Sequence, residues 1–177
     1  MGTFIRKAEA SDLAAVTAIY DEILTDEEQR GVSTGWVRGV YPTAKTAEDA
    51  LAKNELYVLV KDGEVLASAK INAEQMPAYA FVTWEHPVPP KQVLVLHTLT
   101  VARKARRQGL AHTFLAFYEK LAREHGCPEL RIDTNELNLT ARRLYRTLGY
   151  TERGVVPGNF NGIEGVGLVC LEKWLGE

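Results

Sequence analysis

Between Val93 and Phe117 the chain reads VLVLHTLTVARKARRQGLAHTFLAF, and this segment constrains the fold more than any other. Its first part is an apolar run with β-branched residues that stops at Val101, the pattern of a buried strand. Arg103, Lys104, Arg106 and Arg107 then fall within five residues. Gly109 and Ala111 open a second pattern, in which Leu110, Phe114, Phe117, Tyr118 and Leu121 have helical spacing. Strand, cationic loop, small residues and helix start follow in the order that suits a bound pyrophosphate. The first N–H groups of a helix lack intrahelical partners, so an anion can take them. A hydrogen bond to a charged group contributes about 1.5–3 kcal/mol, against about 0.3–1 kcal/mol for a charge at an exposed helix end. The N–H cradle therefore outweighs the dipole, and Gly109 and Ala111 keep Cβ bulk off the ligand. The segment lacks the Gly-Lys-Ser/Thr of a Walker loop and the three glycines of a dinucleotide fingerprint. Taken alone it also fits a solvated cationic turn or a basic patch for nucleic acid.

The rest of the chain weighs against nucleic acid, because the net charge is −2 and no second basic stripe appears. A length of 177 residues suits one domain over 1–177 with a substantial core. Hydrophobic content of 46% with 25% charged residues is ordinary for a soluble globular protein. Cys127 and Cys170 stand far apart in apolar contexts, which predicts two buried free thiols. His86, His97, His112 and His125 lack metal-motif spacing, so no metal site is expected. The N-terminus has no signal-peptide core and no run approaches the length of a membrane span, so the expected location is the cytoplasm.

Phe4 to Ala8 reads as a short strand. Ser11 or Asp12 can cap a helix with Leu13, Val16, Tyr20 and Ile23 on its apolar face, fraying in the acidic Asp26 to Glu28 stretch. Gly31 to Thr43 reads as an irregular loop and Thr46 to Lys53 as a short helix. Leu56 to Lys61 and Glu64 to Asn72 are strands joined by the hairpin dipeptide Asp62-Gly63. Met76 to Lys91, with four prolines, is a long loop of the kind that is usually functional. After the Val93 to Val101 strand and the Gly109 to His125 helix come a strand over Leu130 to Thr134 and a helix over Asn138 to Leu148. Strands over Tyr150 to Val155 and Val166 to Trp174 complete the chain. The strand, helix and strand at the centre predict a parallel crossover.

Two further constellations carry chemistry. In DTNELNLTARRLYRTLGYTERG, Asn138 is a good helix N-cap and Gly149 a C-cap. Tyr145 reads from spacing alone as a core aromatic. His97 stands four residues before Val101, and period-two alternation places it on one face with Leu99 and Val101. From the residues alone it is a base or a hydrogen-bonded core histidine.

Val101, Arg106, Gly109 and Ala111 fall in the register of the acyl-CoA loop of the GNAT acetyltransferase superfamily, which this chain resembles. Asn138, Tyr145 and Leu148-Gly149-Tyr150 match a second motif of that family, and the element order matches over nearly the whole chain. The resemblance implies an α/β GNAT fold, with a mixed sheet of about six to seven strands and about four helices. It also implies an acyl-CoA cleft between splayed central strands. Acetyl-CoA would be held by Leu99, Thr100 and Val101 beside its pantetheine arm, and by Arg106, Arg107, Gln108, Gly109, Leu110 and Ala111 around its pyrophosphate. Asn138 would contact the pantetheine amide, and the Tyr145 hydroxyl would lie near the CoA sulfur and protonate the departing thiolate.

His97-Thr98-Leu99-Thr100-Val101 is similar to the catalytic strand of arylalkylamine N-acetyltransferases, which carry a base-relay histidine at this offset. A second histidine of theirs is Val95 here. The implied reaction is direct attack of an amine, on a small molecule or a protein, on the thioester, with His97 as base. Neither cysteine lies in the constellation to form an acyl-enzyme. Gly31 to Thr43, Met76 to Lys91 and Asn159 to Ile163 would shape the acceptor side. The rival reading on the same fold is a non-catalytic acyl-CoA-binding module. Dimers are common in the family.

Overall fold

The computed structural model describes residues 2–176. Seven strands form one sheet: β1 (Thr3–Lys7), β2 (Leu56–Lys61), β3 (Glu64–Asn72), β4 (Val93–Val101), β5 (Glu129–Asn135), β6 (Thr151–Phe160) and β7 (Ile163–Trp174). Their spatial order is β1-β2-β3-β4-β5-β7-β6. Four helices accompany them: α1 (Leu13–Arg30), α2 (Ala44–Ala52), α3 (Leu110–Glu124) and α4 (Leu139–Thr147). This is the mixed α/β architecture that the sequence resemblance implies. Among the described residues no helix is long and apolar enough to cross a membrane.

Every neighbouring pair is antiparallel except β4 and β5, which run parallel with α3 as their crossover. Phe114, Leu115 and Tyr118 of α3 are fully buried and pack on Leu94, Leu96, Leu130 and Ile132. Burial of one such side chain stabilises the fold by about 1.5–3 kcal/mol. The Tyr118 hydroxyl donates to the carbonyls of Leu94 (2.5 Å) and Arg131 (3.2 Å), fastening α3 to both parallel strands. On the opposite face Val16 and Tyr20 of α1 and Ala47 and Ala50 of α2 cover Leu56, Val58 and Val60. A third cluster, with Tyr79, Val93, Val95, Phe160 and Cys170, lies under the 76–91 segment.

The helix α1 does not fray at its acidic end but continues to Arg30. Asp26 pairs with Arg103 and Arg106, and Glu27 accepts the N–H groups of Ser33 and Thr34, so the acidic stretch is neutralised by distant partners. Asp12 does not cap α1 through its side chain. It binds Arg6 and accepts the Glu9 N–H (2.7 Å), closing the turn before the helix. The last two strands are longer than their apolar runs, because Asn161 and Gly162, both at positive φ, turn them into one hairpin. The expected turn at Asp62-Gly63 is present, also with both residues at positive φ. Cys127 and Cys170 are both buried and free.

Candidate functional site

The site is an opening between the two parallel strands. Ladder pairing runs from Val93 opposite Glu129 to Leu96 opposite Ile132 and stops there. Beyond it, β4 stays on β3 and β5 stays on β7, so the strands diverge and leave a V in the middle of the sheet. A cavity of about 390 Å³ occupies the V. Its walls include Thr46 and Asp49 of α2 on one side of the sheet and Ala141 and Tyr145 of α4 on the other. A second cavity of about 870 Å³ lies beside Val101, between the start of α3 and one side of α4.

The register corrects the expected placement of His97. Thr98 adopts φ +54°, and the pairing of β3 with β4 slips at this point, so β4 carries a bulge. The bulge shifts the alternation by one residue. Leu99 and Val101 pack with Leu94 and Leu96 on the α3 face, while His97 leaves from the opposite face. Thr100 is buried, and its hydroxyl meets Ser68 Oγ (2.8 Å), so its side chain points away from the α3-face cleft.

His97 Nε2 lies 2.8 Å from Asn72 Oδ1. That oxygen also accepts the Glu74 N–H (3.0 Å), and Asn72 Nδ2 donates to Glu55 (3.0 Å), which fixes the amide orientation. Nε2 therefore carries the proton and Nδ1 keeps its lone pair. Burial, with the Lys70 charge adding to it, pushes the imidazole down to about 4, so His97 is neutral at pH 7.

Asp133 lines the cavity as well, and its sequence context did not single it out. It follows Ile132 as His97 follows Leu96, so the two residues flank the first unpaired position of the V. Its Oδ2 accepts the Tyr79 hydroxyl (2.7 Å), which places it on the same side of the sheet as His97. Burial raises this carboxyl to about 6, against the opposing Tyr79 hydrogen bond. Trp36 and Tyr41 meet edge-to-face (centroids 5.9 Å apart) on the wall above, and the Tyr41 hydroxyl is bonded to Thr98. Gly35 brings that loop in close: at φ +72° it approaches Asn135 so nearly that a Cβ would meet Nδ2 at 2.3 Å.

Tyr145 reaches the cavity from α4. It is buried against Tyr150 with ring centroids 6.0 Å apart, and it makes no side-chain hydrogen bond among the described residues. Burial and the nearby Asp133 raise its hydroxyl above the usual phenol range. Asn138 Oδ1 accepts the Ala141 N–H (3.1 Å) and caps α4, leaving its amide N–H groups for the cavity. Bidentate pairing of Arg142 with Glu152 (2.8 and 2.9 Å) ties α4 to β6.

In the second cavity Gly109 stands at φ +75° and caps α3. The first bond of the helix runs from Thr113 N–H to the Gly109 carbonyl (3.0 Å), so the amides of Leu110, Ala111 and His112 precede it. No protein atom lies within 4 Å of a Cβ built on Gly109, so the backbone turn requires glycine there and protein crowding does not. Arg106 lines this cavity, but its guanidinium is bonded to Asp26 (2.6 Å), as is that of Arg103 (2.8 Å). Lys104 pairs with Glu64, and Gln108 takes Lys61 (2.8 Å) and the Lys104 carbonyl (3.1 Å). Arg107, Arg143 and His112 also line this cavity. Arg143 comes from α4, and only the packing of α4 beside α3 brings it here.

The sequence profile of the acetyltransferase (GNAT) family matches residues 16–150. A 60-residue stretch is 40% identical to aminoglycoside N(6')-acetyltransferase type 1 of Serratia marcescens, covering 34% of this chain and 41% of that protein. The chain thus aligns with less than half the length of this relative. The fold matches an acetyltransferase of the GNAT family from Streptococcus agalactiae over 100% of this chain and 98% of the other, with a TM-score of 0.83 and 24% identity. It also matches yncA of Salmonella typhimurium, solved with its cofactor acetyl-CoA, over 100% and 96% of the two chains, with a TM-score of 0.71 and 18% identity.

Proposed function

The chain belongs to the acetyltransferase (GNAT) family, and from that premise we propose that it transfers an acetyl group from acetyl-CoA to an amine by direct attack on the thioester. The observation that carries this reading is the succession of two cavities along β4 and α4, one in the V between β4 and β5 and the other at the start of α3. An acyl-CoA is a long molecule with an anionic end and a reactive end, and the two cavities differ in that sense. The amides that open α3, with Arg107 and Arg143, suit the pyrophosphate. Leu99 and Val101 flank the pantetheine arm on the α3 face, with Asn138 opposite.

Tyr145 then serves as the acid. Its hydroxyl keeps its proton at neutral pH, and a CoA thiolate, with a thiol pKa of roughly 8.5, accepts it as the carbon–sulfur bond breaks. His97 serves as the base through Nδ1, the nitrogen that Asn72 leaves with its lone pair. An alkylamine of pKa about 10 is about one part in a thousand neutral at pH 7, so removing its proton matters. A second reading gives that proton to Asp133. A carboxyl raised to about 6 is a stronger acceptor than an imidazole lowered to about 4, and the two groups flank the same opening.

The test is release of free thiol from acetyl-CoA in the presence of a panel of amines, amino acids, aminoglycosides and peptides. Acceptor-dependent thiol release supports an enzyme. Calorimetric binding of acetyl-CoA with no release across the panel would instead make the chain an acyl-CoA-binding module. His97→Ala should lower turnover while changing the KM for acetyl-CoA little, and unchanged turnover from pH 6 to 9 would remove His97 from the chemistry.

A further inference from the structure

Away from the V, His86, Glu129 and Glu172 bring three unpartnered buried polar atoms into one cluster. Glu129 of β5 is 0% exposed and Glu172 of β7 is 2% exposed. Arg131 Nε donates to Glu129 Oε1 (3.3 Å). Glu172 Oε1 accepts the Glu85 N–H (2.8 Å) and Arg153 Nε (2.5 Å). The remaining oxygens, both Oε2, have no hydrogen-bond partner, and neither has Nδ1 of His86. One ligand atom from each of the three residues lies within 4.8 Å of those of the other two. Tyr150 Oη is the one other side-chain polar atom that is itself fully buried and without a partner among the described residues, so three of the four residues that carry such atoms form this cluster.

An unpartnered buried polar atom is costly, and two ionised carboxylates placed together also repel one another. A proton shared between the two Oε2 atoms relieves the carboxylates, and Nδ1 then finds a partner only as the N–H tautomer. A metal ion relieves all three at once. We propose that His86, Glu129 and Glu172 form a structural site for a divalent transition-metal ion, zinc in the first instance, which fastens the 82–91 loop to the sheet.

One imidazole nitrogen and two carboxylate oxygens suit zinc, with water as a fourth ligand. They suit magnesium and calcium poorly, since those ions favour oxygen ligands and take six or more. Tetrahedral ligands at about 2.1 Å stand about 3.4 Å apart, so the side chains close in slightly on the ion. The surroundings hold each ligand in place. His86 stacks on Trp174 (centroids 4.4 Å apart, planes at 7°), and Arg131 and Arg153 hold the far oxygens. Sequence spacing could not show this site, because its ligands lie on a loop and two strands far apart in the chain.

The test uses the tag-free 177-residue chain stripped with a chelator and titrated with zinc chloride, with magnesium chloride as control. Calorimetry and elemental analysis should give one zinc per chain and no magnesium binding, and zinc should raise the thermal midpoint. His86→Ala should weaken zinc binding at least about tenfold, and Glu129→Gln likewise, while His125→Ala should leave it unchanged. Circular dichroism establishes that the His86 variant is folded, so the result stands even if Glu129→Gln does not fold. No zinc binding at millimolar concentration, or binding equally tight in His86→Ala, would overturn the proposal and leave a proton-sharing carboxyl pair in its place.

Discussion

Replacing Asp133 with Asn separates chemistry from stability at one position. The change is isosteric, and the new amide oxygen can still accept the Tyr79 hydroxyl now bonded to Oδ2 (2.7 Å). Burial raises the carboxyl from 3.8 to about 6 in the folded chain. A carboxyl raised in this way contributes its stability when protonated, fully below its unfolded pKa and progressively less as pH rises through about 6. Relative to the protonated state, a shift of that size costs up to about 3 kcal/mol of stability at pH 8 and about half of that at pH 5. Asn carries no charge to desolvate, so the variant should unfold at higher urea than the wild type at pH 8, with the difference shrinking toward pH 4. If Asp133 takes the amine proton, kcat/KM of the wild type should fall below about pH 6 with a slope of one. The variant should then lose about 10²–10⁴ in turnover and lose that inflection. Equal urea midpoints at pH 8 would refute the burial argument. Unchanged turnover from pH 5 to 8 would refute the role in proton transfer and return that role to His97.

Two other substitutions probe the frame and the acid. Tyr118→Phe removes a buried hydroxyl that donates to both Leu94 and Arg131. It should cost about 1–3 kcal/mol in urea unfolding with an unchanged m-value, since the ring still fills its site. Tyr145→Phe should lower turnover while leaving the fold and acetyl-CoA affinity nearly unchanged, and stopped-flow thiol release at wild-type rate would return Tyr145 to a packing role.

Local features of the structure were largely legible in the sequence. The strand over Val93–Val101 has the expected bounds, because an apolar run ends there at a basic loop. Asn138 caps α4 and Asp62-Gly63 turns its hairpin, since both depend on neighbours within a few residues. The Asn161-Gly162 hairpin carried the same kind of signal and went unread. What depends on distant partners was not legible. Nothing around Thr98 marks a bulge, yet that one residue turns His97 away from Leu99 and Val101. The cationic loop looked like a cluster of free charge, but Asp26 and Glu64 from other elements take up Arg103, Arg106 and Lys104. Asp133 owes its setting to the end of the ladder beside it and to Tyr79 from the 76–91 segment, both of them distant in sequence.

The most direct test of the acyl-donor cleft is a crystal structure of the chain with acetyl-CoA. The pyrophosphate should lie on the amides that open α3, with the pantetheine arm between β4 and β5. The thioester sulfur should be within hydrogen-bonding reach of the Tyr145 hydroxyl, and the acetyl group should face His97 and Asp133. Acetyl-CoA bound outside the V, or a sulfur well beyond hydrogen-bonding distance of Tyr145, would contradict the account.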